Sequence, residues 1–349
     1  MMIDIGHCKW PSIGQFKNVI HNVKSQVTYD GTDEDGNAVY VDRPLPKIVF
    51  DIQTKLHGTC SSVRFNPDGI MTAQSRERDL SLTSDNAGFC LFVYQNEHIF
   101  RDIWMHLITE DYTVVIHGEW CGNNIQANVA ITKLPKMYVI FGIQMIKDGE
   151  STWFLNPMKI LSGTKYTKEV LNQYQIFFID QFPCTQVTVD FNYPELAQNK
   201  LVELCQAIED ECPVGKAFGV SGIGEGLVAS CVHEEFGLLM FKVKGVLHVG
   251  NNDKTKKKIL APVDEERIAK EIDWVNTYVT EGRLQQGIHV MKSEMRLEII
   301  DKNVGKYLQW LCNDVFKEEQ QSIIVNEFDP KKLAKRINEV GKRYYFNQL

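Results

Sequence analysis

Ile48-Val49-Phe50-Asp51-Ile52-Gln53-Thr54-Lys55-Leu56-His57-Gly58-Thr59 is the stretch on which the reading of the chain turns. Its apolar first half reads as a short strand, and Lys55 falls at the strand's end with a glycine three residues on. A lysine so placed is a candidate exposed nucleophile. A glycine beside it lets backbone approach a phosphate closely. By itself the pattern fits a loop lysine equally well, so its meaning depends on the residues further along the chain. Ser75-Arg76 comes next. Gly118-Glu119 closes the β-rich run Tyr112 to Trp120 and continues as Trp120-Cys121-Gly122. Phe141 lies in a second such run, Tyr138 to Ile146. Glu225-Gly226 opens Glu225-Gly226-Leu227-Val228, and Lys242-Val243-Lys244-Gly245 ends the alternating run that begins at Gly237. Lys242 and Lys244 would share one face of a strand. Two like charges side by side repel unless something anionic lies between them.

The chain around these residues has 349 positions, of which 44% are hydrophobic and 24% charged. That mix excludes a disordered or collagen-like chain, and the length suggests about two domains at roughly 150 residues each. No run reaches the roughly 18 apolar residues of a membrane span. The opening MMIDIGHCKW lacks a basic region followed by an apolar stretch, so no secretory signal is expected. The net charge of −7 argues against a surface coated in positive charge for nucleic acid. From His248 onward basic residues slightly outnumber acidic ones, so any nucleic-acid contact must use local patches. The nine cysteines are odd in number and contain no CxxC pair. They read as reduced thiols in an intracellular compartment, the cytoplasm, or the host cytoplasm if the chain is viral.

Up to residue 247 the chain reads mostly as strands and loops. One helix is expected after Tyr193-Pro194, where Leu196, Leu201, Leu204 and Ile208 share a face. Past Gly250 the character changes. A polar, basic stretch with Lys254, Lys256, Lys257 and Lys258 leads to a capping candidate at Asp264. Three apolar stripes come after it at helical spacing. They are Ile268, Ile272, Val275, Val279, then Val304, Leu308, Leu311, Val315, then Leu333, Ile337, Val340, Tyr344. The expected division is a domain over 1–247 and a small helical domain over 248–349.

The ordered set from Lys55 to Gly245 resembles the covalent nucleotidyltransferase superfamily of ATP-dependent ligases and capping enzymes. More narrowly it resembles the nick-sealing RNA ligases of the phage and trypanosome-editing type, the RNA ligase 2-like group. The lysine motif reads K-x-H-G-T, where DNA ligases and capping enzymes usually have K-x-D-G. Gly118-Glu119-Trp120-Cys121-Gly122 with Ile125-Gln126 is similar to that group's GE-aromatic-x-G…IQ stretch. A helical tail comes after the last lysine motif, where DNA ligases and capping enzymes carry a β-barrel. Three positions depart from the pattern. Cys60 replaces the usual asparagine of KxHGTN, Thr54 stands where a glutamate is common, and Ser230 stands where a lysine often ends EGxVxK.

The resemblance implies an α+β fold, with antiparallel sheets forming a nucleotidyltransferase (adenylation) domain, followed by an all-helical domain. It implies an enzyme that joins a 3′-OH to a 5′-phosphate RNA end through lysyl-AMP and RNA-adenylate, at nicks in duplex RNA. ATP and Mg²⁺ or Mn²⁺ would be its cofactors, RNA its partner, and a monomer its state. Lys55 would be the nucleophile. A free lysine with a pKa near 10.4 is neutral to only about 0.1% at pH 7.5, so its surroundings must help it lose a proton. Lys242 and Lys244 would contact the AMP phosphate, and His57 would lie near the phosphates. Gly58 would be the close-approach residue, and Phe141 would stack on adenine. Arg76 and Glu119 would bind ribose hydroxyls. Glu225, with Glu119, would hold metal. In the tail, Arg283 and the pair Asp314 and Glu318 resemble residues used in RNA end sealing. A solvated helix face accounts for that acidic pair equally well.

Competing readings are fewer. No GxxxxGK[ST] occurs, so a P-loop ATPase is excluded on motif grounds, and Gly219 to Gly226 reads as the loop presenting Glu225. His117 reads as a strand histidine rather than a zinc ligand. The alternative enzymes are a DNA or hybrid-polynucleotide ligase and a capping-type guanylyltransferase with an unusual tail. A degenerate RNA-binding protein would have lost its nucleophile or metal carboxylate, and both are present. Lys331, Lys332, Lys335, Arg336, Lys342 and Arg343 of the last helix, with the basic linker, are expected to meet phosphates. A solubilising helix face is the equal alternative.

Overall fold

The computed structural model describes residues 6–33, 36, 38–107, 111–161, 167–248 and 263–349. The basic run Lys254 to Lys258 lies outside them. The strands in chain order are β1 (Tyr29–Thr32), β2 (Ala38–Tyr40), β3 (Lys47–Thr54), β4 (Thr59–Phe65), β5 (Met71–Ser75), β6 (Thr113–Cys121), β7 (Met137–Lys147), β8 (Glu150–Phe154), β9 (Ile176–Phe178), β10 (Thr185–Asp190), β11 (Gly226–His233) and β12 (Gly237–Lys244). The α-helices are α1 (Phe16–Thr28), α2 (Phe89–Gln95), α3 (Glu97–Leu107), α4 (Pro157–Ile160), α5 (Lys168–Gln173), α6 (Gln198–Asp210), α7 (Pro213–Ala217), α8 (Glu265–Tyr278), α9 (Glu281–Ser293), α10 (Val304–Glu318), α11 (Gln320–Val325) and α12 (Pro330–Phe346). The fold is α+β with antiparallel sheets and a helical C-terminal region, as expected.

The chain forms two compact units. One comprises Met1–Ile20, Lys47–Val189 and Ala197–Ala261, and the other His21–Pro46, Asp190–Leu196 and Pro262–Leu349. The first unit holds two sheets. One runs β10-β3-β11-β12, and the other runs β5-β4-β6-β7-β8 with β9 added parallel to β7. The long strands β6 and β7 are buried along nearly their whole length. This is the pattern of a strand covered on both faces. Val63, Phe65, Ile116, Tyr138 and Ile140 from the larger sheet pack with Phe89 and Val93 of α2 and Phe100 and Ile103 of α3 in one apolar core. The reading of the first 247 residues as mainly strands and loops is corrected here. Besides the expected α6, the segments of α2 and α3 are helical and carry much of the core. Helix α3 carries an apolar stripe, Ile99, Phe100, Ile103 and Leu107, that the sequence reading passed over, and α2 is a short, mostly apolar segment without a polar face.

In the second unit, α8, α10 and α12 match the three expected stripes, and Asp264 caps α8 by accepting the Arg267 N–H at 2.9 Å. Two further helices, α9 and α11, correct the count of three. Trp274, Met291, Tyr307, Leu311, Leu333, Ile337 and Tyr345 form their common core. Helix α9 also buries a short stripe, Leu284, Ile288 and Met291, and Gly287 lies on the same face. A Cβ there would lie 2.7 Å from the Tyr307 ring and 2.8 Å from Trp310, so the helix meets its neighbour through a glycine. All nine cysteines are free, and no described helix is long and apolar enough to cross a membrane.

Candidate active site

The pairing of β3, β11 and β12 brings Lys55, Glu225 and Lys244 to one place. Leu227 faces Thr54 across one ladder, and Gly226 faces Lys244 across the other. The Lys55 N–H donates to the Gly226 carbonyl at 2.8 Å, which fixes the strand end carrying the amine. Gly226 has φ +140°, and a Cβ there would lie 2.2 Å from the Val243 oxygen, so only glycine lets the strands close here. Glu225, just before it, is 2% exposed. Its Oε2 accepts from Lys55 Nζ at 2.7 Å and pairs with His57 Nδ1 at 3.0 Å, while Oε1 meets Lys244 Nζ at 2.8 Å. Burial pushes the Glu225 carboxyl up, but the His57 hydrogen bond and the charges of Lys55 and Lys244 outweigh it. The group is held well below the usual carboxylate range. Lys242, two residues from Lys244, is pushed down by burial and by the neighbouring cations Lys244, Lys55 and Arg76.

A second carboxylate stands across the site. Antiparallel pairing of β4 with β6 sets Cys60 opposite Glu119 and Thr59 opposite Trp120. Glu119 Oε1 accepts the Gly58 N–H at 3.0 Å, and Gln126 Nε2 donates to the Gly58 oxygen at 3.2 Å. A Cβ on Gly58 would lie 2.3 Å from the Trp120 carbonyl oxygen and 2.7 Å from Cys121 Cβ, so the glycine lets two backbone segments touch. Burial pushes Glu119 up to about 7, against the pull of Lys55 and the Gly58 N–H, and the Glu225 charge adds to the rise. The Cys60 thiol is pushed up to about 12, chiefly by burial, and stays protonated.

Among the described residues no group of three or more His, Cys, Asp or Glu is arranged to hold a metal. An all-protein metal cage is therefore not built here. Two carboxylates, one of them short of positive charge, fit a hydrated divalent ion that shares its ligands with phosphate oxygens.

A pocket opens beside these groups. Lys55, Glu119, Phe141, Trp10, Val228 and Met240 line it, and so do Thr54 and Ser230, two of the three positions that depart from the motif pattern. Phe141 reaches it through an irregularity in β7. His117 pairs with Gly142 and Gly118 with Ile140, so Phe141 is the extra residue of a bulge. Bulges re-aim side chains, and this one presents an aromatic ring to the pocket.

Lys55, His57, Gly58, Glu119, Glu225 and Lys244 thus form one linked cluster, with Phe141 and Lys242 adjacent. Arg76 is half exposed just past β5, where Nη2 donates to Ser12 Oγ at 3.0 Å. It is close enough for its charge to bear on Glu119 and Lys242. His117 is a buried strand histidine. It pairs with Ser62 Oγ at 2.7 Å and Gln144 Oε1 at 3.0 Å, and burial pushes it down to about 4.

Two participants escaped the sequence reading. Trp10 lines the pocket from outside every motif. Glu209, 4% exposed on α6, accepts the Val246 N–H at 3.0 Å and the Leu247 N–H at 2.7 Å, anchoring the chain just past Lys244. The only local signal for Glu209 is a glutamate within the buried stripe Leu201, Cys205, Ile208.

The tail residues sit in the second unit. Arg283 Nε meets Asp314 Oδ2 at 3.1 Å, Nη2 meets Glu319 Oε1 at 3.1 Å, and Nη1 donates to the Tyr278 oxygen at 2.9 Å. Arg283 is therefore joined to Asp314 and Glu319, while Glu318 is exposed beside Lys317. In α12, Arg336 is 12% exposed and pairs with Glu271 at 2.9 Å and Glu195 at 3.3 Å, so it faces inward. Lys331, Lys332, Lys335 and Lys342 are exposed.

Among curated proteins, none matches the chain closely enough to count as a relative. Among solved structures, the Naegleria gruberi RNA ligase with PPi matches 70% of this chain at 17% identity and a TM-score of 0.43. A mutant of that ligase with ATP and Mn matches 70% at 16% identity and a TM-score of 0.42. The chain spans 58% and 59% of the length of those two chains. The model of the RNA ligase family matches residues 49–244, which run from β3 to the end of β12 and contain the whole linked cluster, and the chain belongs to that family.

Proposed function

We propose that the protein is an ATP-dependent RNA ligase that seals nicks in duplex RNA, with Lys55 as the adenylated residue. The observation that carries this reading is the placement of Lys55 Nζ. It lies 2.7 Å from a buried carboxylate, at the wall of a pocket that also presents Phe141 and Glu119.

In the first step the Lys55 amine, having lost a proton, attacks the α-phosphorus of ATP. A P–N bond forms, the bond from that phosphorus to the bridging oxygen breaks, and pyrophosphate leaves. In the second, a 5′-phosphate oxygen of RNA attacks the same phosphorus, and the P–N bond breaks to give RNA-adenylate. In the third, the RNA 3′-OH loses its proton, attacks the 5′-phosphorus and expels AMP. Little covalent work falls to the protein besides Lys55, so positioning and charge dominate. Lys242 and Lys244 would contact the AMP phosphate, a role supported by Lys244 sharing the Glu225 carboxylate with Lys55, and His57 is joined to that carboxylate as well. Gly58 holds the loop after Lys55 against β6 rather than leaving space for phosphate, Phe141 stacks on adenine, and Arg76 and Glu119 bind the ribose. Glu225 and Glu119 would hold a hydrated Mg²⁺ or Mn²⁺, which when bound offsets charge on the phosphoryl oxygens.

RNA gripping by the second unit rests on resemblance for Arg283, Asp314 and Glu318. Exposed lysines of α12 support phosphate contact with little sequence preference, which makes binding fall as salt rises. The test is sealing of a 5′-phosphorylated nick in duplex RNA with ATP and Mg²⁺, beside the same nick in DNA and one with RNA only on the 3′-OH side. Sealing of the all-RNA nick supports the reading. Sealing of the all-DNA nick alone would replace it with a DNA ligase.

A further inference from the structure

Residues 7–15 form a strap outside the matched region 49–244, and it ties together the two sheets of the first unit. On the side of the larger sheet, His7 Nε2 donates to the Ser75 oxygen at 3.0 Å, Lys9 pairs with Glu77, and Ser12 accepts from Arg76. On the side of the smaller sheet, Gly14 bridges to Phe241, and its oxygen accepts the Lys242 N–H at 3.0 Å. Between these anchors Trp10 turns inward and is 8% exposed. Its ring lies 4.8 Å from Phe141, 5.0 Å from His117 and 5.2 Å from Trp153. The fold makes room for it. A Cβ on Gly142 would sit 2.7 Å from the indole, so the residue next to the bulged Phe141 has to be small. An indole held by three rings is rigid and apolar, and it faces the pocket that Phe141 enters.

We propose that Trp10 is a base-recognising residue of the nucleotide site, an apolar wall against which the adenine packs at the edge of Phe141. This rests on the reading of the pocket as the ATP site. A flat aromatic wall contributes to binding of a purine through packed area and edge-to-face contact, and it contributes nothing to binding of the phosphates. Losing such a contact corresponds to about tenfold in affinity, at 1.4 kcal/mol per decade.

The experiment is calorimetric titration of the full chain with α,β-methylene-ATP, which cannot transfer AMP, and separately with pyrophosphate. Trp10→Ala is expected to weaken the nucleotide about tenfold and leave pyrophosphate unchanged. Trp10→Phe should stay within about threefold of wild type. Gly142→Ala, which displaces the indole without removing it, should behave as Trp10→Ala does. Nucleotide binding by Trp10→Ala equal to wild type overturns the proposal, and so does an equal loss of pyrophosphate, which would mark a general structural role. A wild-type chain that binds pyrophosphate but no nucleotide would overturn the ATP reading itself, and this proposal with it.

Discussion

Lys55 Nζ lies 2.7 Å from Oε2 of Glu225, a carboxylate that is 2% exposed. The amine that must attack phosphorus is therefore aimed by an ion pair. The same carboxylate holds Lys244 by its other oxygen, so one buried charge sets the position of two cations. Glu225→Gln keeps the shape and removes the charge. It is expected to lower the rate of lysyl-AMP formation at least about 100-fold, the usual scale for losing one preorganised electrostatic contact. Lys55 and Lys244 are partly exposed and can rehydrate, so the variant should remain folded. Rapid-quench measurement of AMP transfer, beside circular dichroism, checks both statements.

His117 and Glu119 stand two residues apart on β6 and titrate in opposite senses. His117 is pushed from 6.5 down to about 4. Between those values the unfolded chain takes up a proton that the folded chain refuses, so stability falls as pH falls, by about 3 kcal/mol in all. Glu119 is pushed from 4.5 up to about 7. Over that window the folded chain keeps a proton that the unfolded chain has released, so stability falls as pH rises. Glu119 is partly exposed, which makes its effect the smaller of the two. The windows overlap, so Glu119 offsets part of the His117 slope in the wild type. His117→Gln and Glu119→Gln should each unmask the other's slope. Urea unfolding at half-unit steps from pH 4 to 7.5 would show the two difference curves with opposite signs.

Gly58→Ala places a Cβ 2.3 Å from a backbone oxygen, which cannot move aside as a flexible side chain could. The expected cost is roughly 1–3 kcal/mol of stability, the scale of overpacking in a tight site. The alanine keeps the backbone N–H, but the clash is expected to push it away from Glu119 and so lower AMP transfer even where the chain folds. Thermal unfolding and AMP transfer measured on the same sample separate the two effects.

Arg283 is joined to Asp314, Glu319 and the Tyr278 carbonyl within the second unit. Arg283→Ala leaves two half-buried carboxylates without their cation and is expected to cost roughly 2–4 kcal/mol. A double-mutant cycle of Arg283→Ala with Asp314→Ala, read by chemical unfolding, should return a favourable coupling energy. AMP transfer to Lys55 should be unaffected in all three variants.

The sequence carried some of this plainly. The strands at 48–52, 112–120, 138–146 and 237–244 showed because β-branched and aromatic residues crowd them. The stripes of α8, α10 and α12 showed because each buries one side only. The lysine, glutamate and glycine positions of the cluster showed only as an ordered set that resembles a known family, since each pattern taken singly is bland. What stayed hidden depends on distant partners. Trp10 has meaning only through Phe141, Gly142 and Trp153, more than 130 residues away in the chain. The inward turn of Arg336 is set by Glu271 and Glu195, and nothing in the local charge pattern of α12 distinguishes it from its exposed lysine neighbours.

Intact-mass spectrometry of the purified chain after incubation with ATP and Mg²⁺, combined with peptide mapping, bears most directly on the central claim. A gain of one AMP on Lys55, absent from Lys55→Ala and reversed by added pyrophosphate, is the predicted result. An unmodified chain, or AMP on a different side chain, would contradict it.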